Sequence, residues 1–162
     1  MHSPRRYEDH PVGWNPEVPG WFNDVDVRQA LYRNLFSGAF GHTYGCHPIW
    51  QIKTPAREAV GLARNNWYDV LDLPGAWDMI HARRLIESRP FLSRVPDQSL
   101  IAPAYFPETD YVVASKGDGK STLIDTFPGT GTRRFTPPSN GRGNDWILVL
   151  DDTSKGLKEP GL

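Results

Sequence analysis

Asn23-Asp24-Val25-Asp26-Val27-Arg28-Gln29-Ala30-Leu31-Tyr32-Arg33-Asn34-Leu35-Phe36-Ser37-Gly38-Ala39-Phe40-Gly41-His42-Thr43-Tyr44-Gly45 is the stretch on which the fold turns. Val27, Leu31 and Leu35 recur at i, i+4 and i+8, flanked by Ala30, Tyr32, Phe36 and Ala39, the stripe of an amphipathic helix. Asn23 or Asp24 is a cap for its start, and Asp24 and Asp26 suit the positive end of the helix dipole. Gly38 closes the helix after about 15 residues. Ala39 to Gly45 is short, aromatic and β-branched between glycines. It reads as a brief buried strand opening into a loop.

Outward from this stretch the chain divides in two. Residues 1–23 are rich in Pro, Trp and Asn and read as an extended loop. Residues 46–72 are mostly loop, with a short helix expected around Arg57 to Leu62. Pro74, suited to a first helical position, starts a second helix carrying Ala76, Trp77, Met79, Ile80, Ala82, Leu85 and Ile86, and Pro90 ends it. Trp77 is expected in the core.

From Ser99 the pattern changes to period two with turn signals. Tyr111–Ala114 and Thr122–Asp125 read as strands joined around Gly117-Asp118-Gly119, Arg133–Pro137 as an edge strand, and Asn144–Leu150 as the strongest strand, with Trp146 in its core. The tail after Asp151 is polar and expected to fray. The fold class is therefore α/β followed by all-β, with domains at 1–98 and 99–162.

Composition removes several classes of function. With 23% charged residues and 12% aromatics in 162 residues, the chain is a folded protein and not a disordered one. The longest apolar run, Trp146–Leu150, is far short of a membrane span. A net charge of −1 gives no basic excess for nucleic acid. The single Cys46 excludes an internal disulfide. Arg5 and Arg6 have no apolar stretch behind them, so the N-terminus reads as having no signal peptide.

Several motifs have competing readings. Ala114-Ser115-Lys116-Gly117-Asp118-Gly119-Lys120-Ser121 fits a relaxed phosphate-loop pattern, but that chemistry needs a helix after the Lys-Ser pair. Thr122–Phe127 is β-branched and aromatic, with Pro128 next, so a hairpin turn is the better reading. His42, Cys46 and His47 carry ligand atoms suited to zinc without the spacing of a known site, so no metal is expected. A Cys46–His nucleophile pair has no oriented base behind it. Trp14, Trp21 and Trp50 lie in loops near His42, Tyr44 and His47, where flat rings can stack on sugars. Asp24 and Asp26 belong to the helix start. Of the N-terminal carboxylates this leaves Glu8 as the one of interest for glycoside chemistry, which uses two.

The residues resemble a family at this point. Val27–Tyr32, Phe36–Gly45 with its Gly38-Ala39-Phe40-Gly41-His42-Thr43-Tyr44-Gly45 run, and Ile49-Trp50-Gln51 are similar to the last strand region of apiosidase-like glycoside hydrolases. Leu73–Trp77 and Leu85–Pro90 resemble that family's final barrel helix. Phe135–Pro138 and Asn144–Leu150 resemble its collagen-binding C-terminal β-domain. The resemblance implies the last βα units of a (β/α)8 TIM barrel followed by a small antiparallel β-sandwich, from a secreted or periplasmic parent acting on plant cell-wall glycans. Phe40–Tyr44 would be the eighth strand. His42, Tyr44, His47 and Trp50 would lie at the barrel mouth as substrate-binding residues, with Glu8 as the catalytic carboxylate.

Two departures shape the expectation. The family's nucleophilic Glu falls at the position three before Tyr7, which is Pro4 here. The first six strands, including the one expected to bear the acid/base, have no counterpart. One reading is a C-terminal piece of a hydrolase, inactive alone; the other is an accessory module that binds glycan or protein. Under either, no cofactor is expected, the partner is carbohydrate, and self-association or docking to an upstream barrel portion is expected.

Overall fold

A computed structural model describes residues 6–14, 17–97, 99 and 119–161. Two strands, β1 (His10–Pro11) and β2 (Trp21–Phe22), pair antiparallel with His10 opposite Phe22 and Pro11 opposite Trp21. They fall in a region expected to be loop. Three helices follow: α1 (Asp24–Phe36), α2 (His47–Trp50) and α3 (Pro74–Glu87). Single 3-10 turns occupy Val12–Trp14, Val60–Leu62, Trp67–Val70 and Thr153–Lys155.

α1 starts as its sequence dictates, with Asn23 as the cap. Asn23 Oδ1 accepts from the Val25 N–H at 3.1 Å and Asp26 accepts from the Asn23 N–H at 3.0 Å, a reciprocal capping box. At the other end the Gly38 N–H reaches Leu35 O and the Ala39 N–H reaches Asn34 O, the paired bonds of a Schellman closure. That closure puts Gly38 at φ +95°, where a side chain would be strained and its Cβ would meet Pro96 at 2.9 Å.

The core lies between α1 and α3. Leu31, Tyr32, Leu35 and Ala82 are buried together, and Met79, Leu85, Ile86 and Ile147 pack against them. α3 turns Gly75, Asp78 and Ala82 inward. Trp77 sits two residues on from Gly75, about 200° around the helix, and is 64% exposed rather than core.

The expected strand Phe40–Tyr44 does not form, and Phe40 is 97% exposed. A ladder needs a partner along its length. Residues 40–44 have none among the described residues, and the single parallel bridge, Glu8 to Cys46, falls just beyond them. In it the Glu8 N–H donates to Gly45 O at 2.9 Å and the His47 N–H to Glu8 O at 3.0 Å.

The expected strands at 122–125, 133–137 and 144–150 likewise do not form, so no β-sandwich is built among the described residues 119–161. Tyr111–Ala114 and most of the Gly117–Gly119 turn lie outside the described residues. No helix follows Lys120-Ser121. The period-two pattern of 144–150 is used differently. Asp145 is buried and Ile147 packs on the helical core, while Leu148 and Leu150 face outward. Trp146 is half-buried and its Nε1–H donates to Ser139 Oγ at 3.0 Å. The tail returns to α3, where the Gly161 N–H donates to Ser88 Oγ at 3.3 Å.

Candidate functional site

Glu8 is 3% exposed and sits where the single parallel bridge meets the start of α3. Its Oε2 accepts from the Tyr44 hydroxyl at 2.6 Å and its Oε1 accepts from the Gly75 N–H at 3.2 Å. Gly75 belongs to the first turn of α3, so the carboxylate lies at the positive end of the helix dipole. A Cβ on Gly75 would come within 2.4 Å of Glu8 Oε2 and 2.6 Å of Val27 Cγ2, so this close approach requires glycine. Burial pushes the Glu8 carboxyl up from its ordinary value, with Asp24 and Asp78 adding to the rise and the two hydrogen bonds opposing it. The Tyr44 hydroxyl is pushed up by burial and by its bond to Glu8. Burial likewise raises the Cys46 thiol to about 11, leaving it a neutral thiol.

Next to this pair stands an aromatic cluster. His10 and His47 are fully buried with ring centroids 4.6 Å apart. Trp14 packs edge-on to His10 at 3.9 Å and lies 5.5 Å from His47 and 6.4 Å from Trp50. His47 and Trp50 are 5.8 Å apart. Neither imidazole makes a well-formed hydrogen bond, although His10 lies near the Pro11 backbone and His47 near that of Val60. Burial lowers both imidazoles; His47 adds to the lowering of His10, while Asp9 opposes that of His47. Trp14 and Trp50 keep 48% and 53% of their surface open, enough to offer a ring to a ligand.

The structure thus brings Glu8, Tyr44, His47 and Trp50 into one neighbourhood and leaves His42 out of it. His42 lies against the last turn of α1, its Nδ1 3.4 Å from Asn34 Nδ2, and burial lowers its pKa. Trp21 is not free to stack on a sugar, because the Arg64 guanidinium covers its ring at 4.1 Å. Arg64 also holds the buried Asp9 through Nε at 2.5 Å, and Asn65 holds the second oxygen at 2.8 Å. His10 and Gly75 are additions to the site. Neither carried a local signal: His10 follows a left-handed Asp9 at φ +55°, which breaks strand alternation, and Gly75 is 67 residues from Glu8. Among the described residues no group of three or more His, Cys, Asp or Glu side chains is arranged to hold a metal ion.

The chain that carries this arrangement is similar to glycoside hydrolases of known structure. One solved chain described as a glycoside hydrolase is 41% identical, with a TM-score of 0.57 over 60% of this chain and 22% of its own. A glycoside hydrolase family 5 protein from Bacteroides vulgatus is 39% identical at the same TM-score and the same coverage. The chain therefore spans 22% of the length of these solved relatives.

The model of the family described as "Apiosidase-like, catalytic domain" matches residues 2–93, and the chain belongs to that family. Residues 116–151 match a second model, "Putative collagen-binding domain of a collagenase". A search of curated protein sequences found no match.

Proposed function

We propose that this chain supplies the last βα units of a (β/α)8 glycoside hydrolase barrel and a sugar-binding part of its mouth, acting on plant cell-wall glycans. The observation that carries this reading is the Glu8–Cys46 parallel bridge. It brings Tyr44 beside Glu8 and sets the Trp14–His47–Trp50 cluster immediately after the paired segments, where barrel enzymes keep their binding groups. Tyr44, His47 and Trp50 are the substrate-side residues, and Trp14 extends the stacking surface.

Glu8 serves as a positioning carboxylate. Both of its oxygens are engaged by protein donors and it is closed to solvent, whereas glycoside hydrolysis needs one carboxyl to protonate the leaving oxygen and a second to attack or to activate water. The acid/base comes from an upstream barrel portion, which also covers Trp77 and Ile80 on the open side of α3, while the nucleophile's position is Pro4 in this chain. Reducing-sugar release from plant pectin tests the reading. The chain alone is expected to release none, and release is expected once the upstream barrel portion of a solved relative is supplied to the Pro4→Glu variant. Release by the chain alone contradicts it. The accessory-module reading rests on the half-open Trp14 and Trp50 rings alone, and predicts glycan binding with no gain of turnover on reconstitution.

A further inference from the structure

Arg28 of α1 is 5% exposed and lies between two carboxylates from distant parts of the chain. Its Nε and Nη2 donate to Asp145 Oδ2 at 3.2 and 2.9 Å, a fork from one guanidinium edge. Its Nη1 donates to Asp78 Oδ2 at 2.5 Å and to Asp24 Oδ2 at 3.4 Å. Gln29 Nε2 holds the other Asp145 oxygen at 2.9 Å. Asp78 and Asp145 are themselves buried, at 8% and 6% exposure. Buried charges of this kind are costly unless each is paired, so removing one leaves the others uncompensated.

Asp78 is three residues from Gly75 on α3, on the same inward side of the helix. The contacts therefore form a continuous path: Asp145 to Arg28, Arg28 to Asp78, and Asp78 along one helical turn to the Gly75 N–H that holds Glu8. The flanking segment is tied down at two more points. Arg142 Nη2 donates to Asp26 at 2.6 Å, and Arg89 pairs with Asp151. Asp145 belongs to the region matching the second family model, while Arg28, Asp78 and Glu8 belong to the catalytic-domain match.

We infer that Asp145 is a positioning residue for the Glu8–Tyr44 pair, so that the C-terminal region completes the site geometry of the catalytic-domain region instead of being an independent attachment. The inference deepens the preceding reading, which gives that pair its place beside the substrate face. The charged and titratable groups around Glu8 are Tyr44 and Cys46 on its bridged neighbour, Asp24 and Arg28 on α1, and Asp78 on α3. With Asp145 neutralised, Arg28 is less compensated and its positive field at Glu8 grows. The start of α3 also loosens and admits water. Burial is the largest cause of the raised Glu8 value, so the admitted water and the added field outweigh the weakened Gly75 N–H bond, which acts the other way, and the net change favours the Glu8 carboxylate.

The test is a titration of the Glu8 side-chain carboxyl by carbon NMR in the full chain, with no sugar present. Its outcome is thus separable from that of any glycan assay. Asp145→Asn is expected to move the Glu8 midpoint downward, and Asp145→Glu to restore it at least in part. Asp151→Asn, which removes only the Arg89 pair, is expected to leave it in place. A folded Asp145→Asn chain with an unmoved midpoint overturns the inference, as does an equal shift in Asp151→Asn. Hydrogen exchange on the unaltered chain is a second measurement that needs no variant to fold. The Gly75 amide and the Arg28 Nε–H are expected to share one opening with the same urea dependence, and separate openings overturn the inference.

Discussion

The imidazoles of His10 and His47 face each other 4.6 Å apart in a fully buried pocket beside Trp14. A second charge cannot be accommodated there, and burial already holds both rings below their ordinary pKa. The unfolded chain binds protons at these positions at a higher pH than the folded chain does. The stability they contribute is therefore complete above the unfolded histidine value and is lost as pH falls below it. Thermal midpoints are expected to fall on acidification from about pH 7 to 5. His10→Phe, which keeps a ring against Trp14 and Phe22, should flatten that dependence. A slope unchanged by His10→Phe would assign the acid sensitivity elsewhere.

Gly75→Ala places a methyl against Glu8 and Val27 at distances that neither can relieve by moving into solvent. The cost expected is that of overpacking, about 1–3 kcal/mol, read from urea unfolding. Gly129→Ala, where an added Cβ meets nothing within 4 Å, serves as the comparison and should change little.

Tyr44→Phe removes the donor 2.6 Å from the buried Glu8 carboxyl, which lowers stability by about 1–3 kcal/mol. Glu8→Met removes both acceptor oxygens at similar length, so the Tyr44 hydroxyl and the Gly75 N–H lose that partner. The double variant should be less destabilised than the sum of the two, because each single change leaves the other partner unsatisfied. Additive losses would mean that the hydrogen bond carries no coupling.

Trp77 is 64% exposed and outside the buried cluster between α1 and α3, and should tolerate Ala with a change within about 0.5 kcal/mol in the isolated chain. Its exposed ring lies on the side of α3 assigned to the upstream barrel portion, so the same substitution should weaken that association, measured by sedimentation. Loss of fold in the isolated Trp77→Ala chain would contradict this assignment.

Both main helices were legible because their determinants are local. The Asn23 cap, the Val27–Leu31–Leu35 stripe, Gly38 and Pro74 each act within a few residues. The strands were not. Phe40–Tyr44 and Asn144–Leu150 have strand-like sequences, yet a strand exists only through its neighbours, and here their inward residues meet helices or a single bridging residue. Of the candidate site residues, Tyr44, His47 and Trp50 lie close together in sequence, whereas Glu8, 36 residues from Tyr44, is singled out by residue type alone. The Gly75–Glu8 bond spans 67 residues and the Arg28–Asp145 fork 117, so nothing local announces them. Trp77 misled because a helical stripe shows which residues share a face, not which face is covered.

Affinity electrophoresis of the full chain through gels containing plant pectin shows whether Trp50 and its neighbours form the proposed sugar-binding surface. The wild-type chain should be retarded relative to a pectin-free gel, and Trp50→Ala, whose ring is half-exposed and outside the helical core, should migrate freely while remaining folded. A wild-type chain whose mobility is unaffected by pectin would contradict it.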